Sequence, residues 1–212
     1  MSKHEKNVGR SGMVAAGLAI MVFATTAGAS PIRFDNPAPG EPGYFDWFGA
    51  GIGDTRALDI TVPAGDQTGI PGVGAFEQQN QPTYTWVTGY IDERVQATPD
   101  PFLIGVDAGE PIPISGFGWF SGAFVNYPGY SSPFPYDVPT YAAVSIDLGS
   151  GDQYGWIGVV FSSADFSLDA FAWGYETEPG VPIPAGIPEP GSLALLAFGA
   201  VAATARRRQR GN

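Results

Sequence analysis

Residues 154–161 read Tyr-Gly-Trp-Ile-Gly-Val-Val-Phe, a run without a single charged side chain. The run is too short for a typical helix and is rich in aromatic and β-branched residues, which favours a strand. Both alternating faces of that strand would be apolar. We therefore predict a central strand that is covered by protein on both sides, as in a layered β fold.

The segments around this run also predict strands. Gly and Pro recur throughout and exclude long helices, and no apolar stripe at helical spacing extends over three turns. The other predicted strands are residues 57–62, 83–91, 102–106, 112–126 (as two strands or one bulged strand), 140–147 and 166–175. Strands 154–161 and 166–175 should pair as a hairpin through a turn at 162–165. This pattern predicts an all-β ectodomain, a β-sandwich of the jelly-roll or lectin-like kind.

The N-terminus has the three-part pattern of a secretory signal peptide. An apolar run at 13–24 is followed by Ala27, Gly28 and Ala29, the small residues that a signal peptidase accepts. The basic residues that precede the run are Lys3, Lys6 and Arg10. We predict a signal peptide over residues 1–29, delivered by the Sec machinery and cleaved between Ala29 and Ser30. The alternative is a permanent anchor, for which the run is short.

The C-terminus predicts a membrane segment. Residues 191–205 carry no charge, and a basic cluster follows that consists of Arg206, Arg207, Arg208 and Arg210. An apolar segment closed by arginines is a stop-transfer pattern, and it places the arginines in the cytoplasm. The alternative, an amphipathic helix of a soluble domain, would need a polar face that this segment does not have. We therefore predict a single transmembrane helix over 191–205.

Pro188, Glu189 and Pro190 stand directly before this segment. The Pro-Glu-Pro triplet, the short hydrophobic helix and the arginine cluster together closely resemble the PEP-CTERM sorting signal, here residues 188–212. The resemblance implies that an exosortase, a membrane transpeptidase-like protease, acts near the triplet on an inner-membrane intermediate. The product would reach the cell surface, the outer membrane or the extracellular matrix. The family occurs in bacteria that make exopolysaccharide and biofilm matrix.

The end of the ectodomain is also similar to that of many PEP-CTERM proteins. These have a Tyr-Gly-Trp strand, a Trp-Ala-Tyr-Glu strand and a Pro-Ile-x-Ala-Gly linker. The present chain matches with residues 154–161, 172–176 and 182–186, but Gly174 stands between the Trp and Tyr of the second strand. We accordingly predict an ectodomain over 30–180 and a Pro-rich linker over 181–187.

Composition excludes much enzyme chemistry from residues 30–187, which contain no Cys, His, Lys or Met. Catalytic triads with imidazole or thiol, zinc sites with Cys or His ligands, and Schiff-base lysines are impossible there. Three arginines and 19 acidic residues give this region a net charge of −16. Such a surface would repel nucleic acid. We expect a non-catalytic structural or adhesive protein without a required cofactor.

Two sets of carboxylates are candidates for other chemistry. Asp147 and Asp152 flank a Leu-Gly-Ser-Gly turn and could bind Ca²⁺, although a plain hairpin turn accounts for the same residues. The pair Asp92 and Glu93, together with Asp165 or Asp169, could supply the two acids of a glycosidase. No spacing in the sequence selects one such pair from the 19 acids.

Aromatic strand residues suggest a third function, carbohydrate binding. Trp86 lies between Tyr84 and Tyr90 on one face of a predicted strand, and Trp119 lies between Phe117 and Phe120. Exposed rings of this kind stack on sugars, whereas buried rings only fill a core. The sequence therefore leaves a carbohydrate-binding module, with or without Ca²⁺, as the main alternative, and a carboxylate glycosidase as the next.

Overall fold

The computed structural model of the protein describes residues 31–47, 55–81, 84–90, 92–129 and 133–187. Within these ranges the chain forms thirteen strands and one 3-10 helix, Ala64–Asp66. The strands are β1 (Ile32–Asp35), β2 (Thr55–Asp59), β3 (Ala75–Asn80), β4 (Thr85–Gly89), β5 (Arg94–Ala97), β6 (Gly105–Val106), β7 (Pro111–Ile112), β8 (Gly118–Phe120), β9 (Gly122–Asn126), β10 (Pro139–Asp147), β11 (Asp152–Phe161), β12 (Leu168–Tyr175) and β13 (Ile183–Pro184).

Eleven of the thirteen strands form two antiparallel sheets that pack face to face. The large sheet has the order β1-β12-β11-β10-β5-β8, with β6 also paired to β10. The small sheet has the order β2-β3-β4-β9. One hydrophobic core lies between them, with Phe76 and Val87 from the small sheet and Val144, Ile157 and Trp173 from the large sheet. The predicted all-β sandwich is confirmed.

Strand β11 lies in the middle of the large sheet, as the uncharged run predicted. It pairs with β10 on one side and with β12 on the other, and its inward side chains Ile157, Val159 and Phe161 belong to the main core. Trp156 points to the opposite face and is also fully buried. The predicted hairpin between β11 and β12 is present.

A second, smaller hydrophobic cluster covers the outer face of the large sheet. It contains Trp156, Ala143 and Ala172 from the sheet, with Ile112 and Ile183 lying over them. Ile112 and Ile183 come from β7 and β13, which pair with each other as a separate two-stranded sheet. This two-stranded sheet is the layer that makes β11 buried on both sides.

The residues predicted as a Pro-rich linker, 181–187, include a part that packs on the large sheet in this arrangement. Ile183 and Ala185 are buried, at 1% and 0% exposure, and strand β13 lies within the linker range. The backbone of Ala185 also bonds the loop before β7, since its N–H donates to Glu110 O and its carbonyl accepts from Gly109 N. The folded ectodomain therefore continues past residue 180.

Several predicted strand bounds also change. Residues 57–62 become β2, which ends at Asp59 because the Asp59 carboxylate accepts from the backbone N–H and the hydroxyl of Thr61 and forms a turn there. Residues 83–91 shorten to β4, 102–106 to β6, and 112–126 divide into β8 and β9, with β7 at their start. Strands β1, β3, β5 and β13 have no predicted counterpart.

Several predicted features lie outside the described residues. They are the signal peptide, its cleavage site at Ala27, Ala29 and Ser30, the sorting triplet, and the segment 191–205 with its arginines. Among the residues that are described, no helix has the length and apolar character needed to cross a membrane.

Candidate functional site

Five aromatic rings lie together on the outer side of the small sheet, and we call them the aromatic surface: Tyr84, Trp86, Phe102, Phe124 and Tyr127. Phe124 is the centre, with its ring centroid 4.4 Å from that of Trp86 and 4.9 Å from that of Tyr127. Tyr84 and Phe102 follow at 5.7 and 6.2 Å. The rings meet mostly at steep angles, which is the favourable geometry for aromatic pairs.

Strand alternation explains why these rings point outward. In β4 the side chains of Thr85 and Val87 are buried toward the core, so Trp86 between them projects from the other face. On the neighbouring strand β9, Phe124 is opposite Trp86 in the register. The indole of Trp86 lies across Gly122, where an added Cβ would be 2.5–2.8 Å from three indole atoms. The absence of a side chain at Gly122 thus leaves the space that the Trp86 indole occupies.

The aromatic surface borders two adjoining grooves of about 400 Å³ each, which share Phe124 and Tyr127 as walls. Asp100 lines one groove and Gln79 lines the other. Tyr127 is 41% exposed. Apolar ring faces beside a few side chains with hydrogen-bonding groups are the usual make-up of a small-ligand site. A sugar ring presents this same mixture of apolar face and hydroxyl edge.

Trp119, the other predicted stacking residue, lies elsewhere. It belongs to β8 in the large sheet, and its ring is stacked on Tyr154 with centroids 5.8 Å apart and planes 6° apart. Tyr154 thus covers one face of the half-buried indole, which packs against the cluster around Trp156. The structure does not bring Trp86 and Trp119 together.

A separate acidic pocket of about 500 Å³ contains four of the predicted carboxylates. It is lined by Asp92, Glu93, Arg94, Ser121, Asp147 and Asp152. Arg94 forms an ion pair with Asp152. Asp147 accepts the backbone N–H groups of Gly149 and Gly151 at 2.8 and 3.1 Å, so it stabilises the turn between β10 and β11.

Glu93 is the buried member of this group. It is 2% exposed, and its Oε1 accepts the N–H of Gly74 at 2.6 Å. Burial raises the pKa of Glu93 above its ordinary value, while the hydrogen bond from Gly74 offsets part of that rise. Among the described residues, no group of three or more acidic, His or Cys side chains is placed to hold a metal ion.

The predicted glycosidase partners of Asp92 and Glu93 are far from them. Asp165 follows β11, and Asp169 pairs with Val160 near the end of β11. The acidic pocket contains Asp152 at the start of the same strand. Nine residues of strand span about 30 Å. Because glycosidase carboxyls lie about 5 to 9.5 Å apart, neither Asp165 nor Asp169 is placed to work with Asp92 or Glu93.

Comparison with models of known protein families gives a match over residues 186–209 to the model described as PEP-CTERM protein-sorting motif. The chain therefore carries a PEP-CTERM sorting motif at residues 186–209. This motif implies an exosortase as the processing partner, and it implies export with membrane-associated sorting toward the cell surface. Comparisons with curated proteins and with solved structures give no match.

Sequence reasoning found Trp86 and Tyr84 but not the centre of the site. Phe124 lies in the predicted strand region 112–126, where its alternation with the buried Ala123 and Val125 is a usable signal for an outward ring. Phe102 and Tyr127 lie outside regular alternation. Phe102 reaches the site through a single parallel bridge to Phe124, which no local pattern in the sequence indicates.

Proposed function

We propose that this PEP-CTERM protein is a non-catalytic adhesive protein that binds polysaccharide at the cell surface or in the extracellular matrix, after an exosortase has processed its sorting motif. The single observation that carries the proposal is the aromatic surface. It combines the exposed ring of Tyr127 and the half-buried rings of Tyr84, Trp86 and Phe124, which pack on the buried Phe102, with two grooves and the polar side chains of Asp100 and Gln79. Rings stack on the apolar faces of sugars, and the polar groups can bond their hydroxyls.

The net charge of the ectodomain restricts the class of polysaccharide that it can bind. With a net charge of −16 over residues 30–187, the protein would repel a polyanion such as a uronic-acid polymer. A polysaccharide of uncharged hexoses fits better, since its binding depends on stacking and hydrogen bonds.

A glycosidase remains the alternative of another class. The distance between the acidic pocket and Asp165 and Asp169 argues against those pairs, and residues 30–187 contain no imidazole or thiol. Incubation of the full chain with the same polysaccharides should release no reducing ends. If reducing ends are released, and the release is lost when a carboxylate of the acidic pocket is substituted, the protein is a glycosidase and the adhesive proposal is wrong.

The test of binding uses the full chain, purified in detergent, with soluble oligosaccharides of uncharged hexoses and of uronic acids. Tyr127→Ala should weaken binding to the uncharged sugar about tenfold, as expected for an aromatic contact worth about 1.4 kcal/mol. The matched control is Tyr136→Ala, because Tyr136 is 42% exposed but stacks on Phe161 outside the two grooves. Equal loss in both variants, or no binding by the parent protein, would contradict the proposal.

Processing is tested separately in cells that contain an exosortase. A variant with Pro188→Ala and Glu189→Ala should accumulate as the longer, membrane-bound form, while the parent chain is shortened and released from the inner membrane. Immunoblots of membrane and surface fractions would show the difference. Normal processing of this variant would remove the exosortase step from the proposal.

A further inference from the structure

Residues 181–186, close to the end of the described chain, form what we call the C-terminal strap. The strap lies across the outer face of the large sheet and ends in the position where the sorting motif begins, since the match to that motif starts at residue 186. Within the strap, Ile183 and Ala185 are buried, and β13 pairs with β7. The strap is therefore part of the fold, and its last residue, Gly186, is also the first residue of the matched sorting motif.

Two contacts fix the end of the strap. Arg33 on β1 donates from Nη1 to the carbonyl of Gly186 at 2.5 Å, while its guanidinium lies 5.6 Å from the ring centroid of Trp156. Gly186 has a φ of +67° and packs directly on the ring of Tyr141, so that an added Cβ would overlap that ring. Only glycine combines this backbone conformation with so close an approach.

Chain geometry makes this attachment important for processing. Pro188 is two residues beyond Gly186 in the sequence, and two residues of fully extended chain span at most about 7 Å. A protease binds its substrate as an extended chain over several residues. An enzyme that acts near Pro188 would therefore have to bind residues that the docked strap holds against the ectodomain.

We propose that the C-terminal strap restrains exosortase processing and that it must detach from the ectodomain before the tag can be cleaved. Arg33 and Gly186 are positioning residues that set how often it detaches. The proposal rests on the proposed exosortase processing. Cleavage breaks one peptide bond near the motif. The acyl group passes to water or to an acceptor amine, and the released segment keeps the new amino group. Local detachment of a terminal strand needs far less free energy than global unfolding.

The test is a pulse-chase measurement of processing of the full chain in cells. Arg33→Ala removes the bond to Gly186, and Gly186→Ala forces the strap away from Tyr141. Each should increase the processing rate about fivefold, the change expected from losing about one hydrogen bond. In the double variant Gly186→Ala with Tyr141→Ala, the added Cβ at position 186 no longer overlaps a tyrosine ring. Its processing rate should therefore lie between that of Gly186→Ala and that of the parent.

Matched controls separate docking from general destabilisation. Gly180→Ala changes a glycine with a φ of +74° and open space around its Cβ position. Arg56→Ala removes an arginine that donates to a backbone carbonyl, that of Asp46, away from the strap. Both controls should be processed at the parent rate.

Hydrogen exchange on the full chain in detergent gives an independent readout. The amides of Gly109 and Ala185 form the backbone hydrogen bonds that join the strap to the loop before β7. Their protection from exchange should therefore fall in Arg33→Ala and Gly186→Ala, while the protection of the amides in the β10–β11 ladder is kept. Unchanged or slower processing in these variants would overturn the proposal. A different outcome is that the Pro188 and Glu189 variant is not processed but Arg33→Ala and Gly186→Ala are processed at the parent rate. That outcome would support exosortase processing and contradict only the proposed restraint by the strap.

Discussion

The outer faces of the two sheets both carry aromatic rings, but only the large sheet has a layer over them. There Trp156, Tyr141 and Phe171 lie under or beside the C-terminal strap, and Trp156 is fully buried. On the small sheet Trp86 and Phe124 stay half-buried beside grooves, and no strand among the described residues covers them. We call these the covered face and the open face.

The comparison teaches that similar residues can have opposite roles. On the covered face the rings contribute apolar burial that holds the strap and thus the start of the sorting motif. On the open face the same chemistry is available to a ligand. Large exposed apolar patches on soluble domains commonly mark binding sites, whereas scattered exposed apolar residues do not.

The largest expected effect compares one tryptophan from each face. Trp156→Ala should lower the free energy of unfolding by about 4 kcal/mol, because it leaves a cavity in a closed cluster. Trp86→Ala should lower it by only about 1 kcal/mol, because the indole is only half-buried and water can replace part of it. Urea denaturation of the full chain in detergent measures both values. Equal losses would mean that the two faces are equally structural.

A glycine on the open face offers a finer test. Gly122→Ala places a Cβ where the Trp86 indole now lies and should displace the ring. Oligosaccharide affinity should fall about tenfold, corresponding to about 1.4 kcal/mol, with a smaller change in stability. Gly72→Ala is the control, since open space surrounds its Cβ position. Calorimetric titration would show the loss, and parent-like affinity of Gly122→Ala would mean that the orientation of Trp86 does not matter.

The smallest expected effect concerns the acidic pocket, which belongs to neither face. Because burial raises the pKa of Glu93, the folded protein keeps this proton to higher pH than the unfolded chain does. Glu93 therefore costs no stability below the ordinary carboxyl pKa and lowers the free energy of unfolding as the pH rises through the folded pKa. Glu93→Gln removes this dependence, and its amide oxygen can still accept from Gly74.

Denaturation curves at a series of pH values measure that difference. As the pH rises above the ordinary carboxyl range, the free energy of unfolding of Glu93→Gln should increase relative to that of the parent. At still higher pH the difference between the two free energies should become constant. Oligosaccharide affinity should not change, because the pocket is separate from the aromatic surface. A constant gap at all pH values would contradict the assignment of the raised pKa to Glu93.

The sequence predicted the covered strand well because local pattern and environment agree there. The run 154–161 is apolar on both faces, and burial on both faces is what the structure has. Strand β3 shows the opposite case. Its polar residues Glu77, Gln78 and Gln79 give no alternation, yet it is held in the sheet by backbone pairing with β2 and β4. Gln96 in β5 is likewise polar but buried, since its side chain bonds both backbone groups of Ile114.

The division between open and covered faces could not be predicted because it depends on long-range placement. Residues 181–187 look like a linker, with two prolines and a glycine, but Ile183 meets Ile112, which is 71 positions earlier in the chain. Trp86 and Trp119 have similar local surroundings in the sequence. Only the position of Tyr154 and of the strap makes Trp119 part of the covered side.

The five tryptophan indoles allow one direct test of the central claim, that the open face binds sugar. Trp47 and Trp173 donate to backbone carbonyls inside the fold, Trp156 is buried, and Trp119 is stacked on Tyr154. In an NMR titration of the ¹⁵N-indole-labelled chain with an uncharged hexose oligosaccharide, the signal of Trp86 should shift in a saturable way while the other four stay in place. A shift of Trp119 instead, or no shift at any indole, would contradict the account.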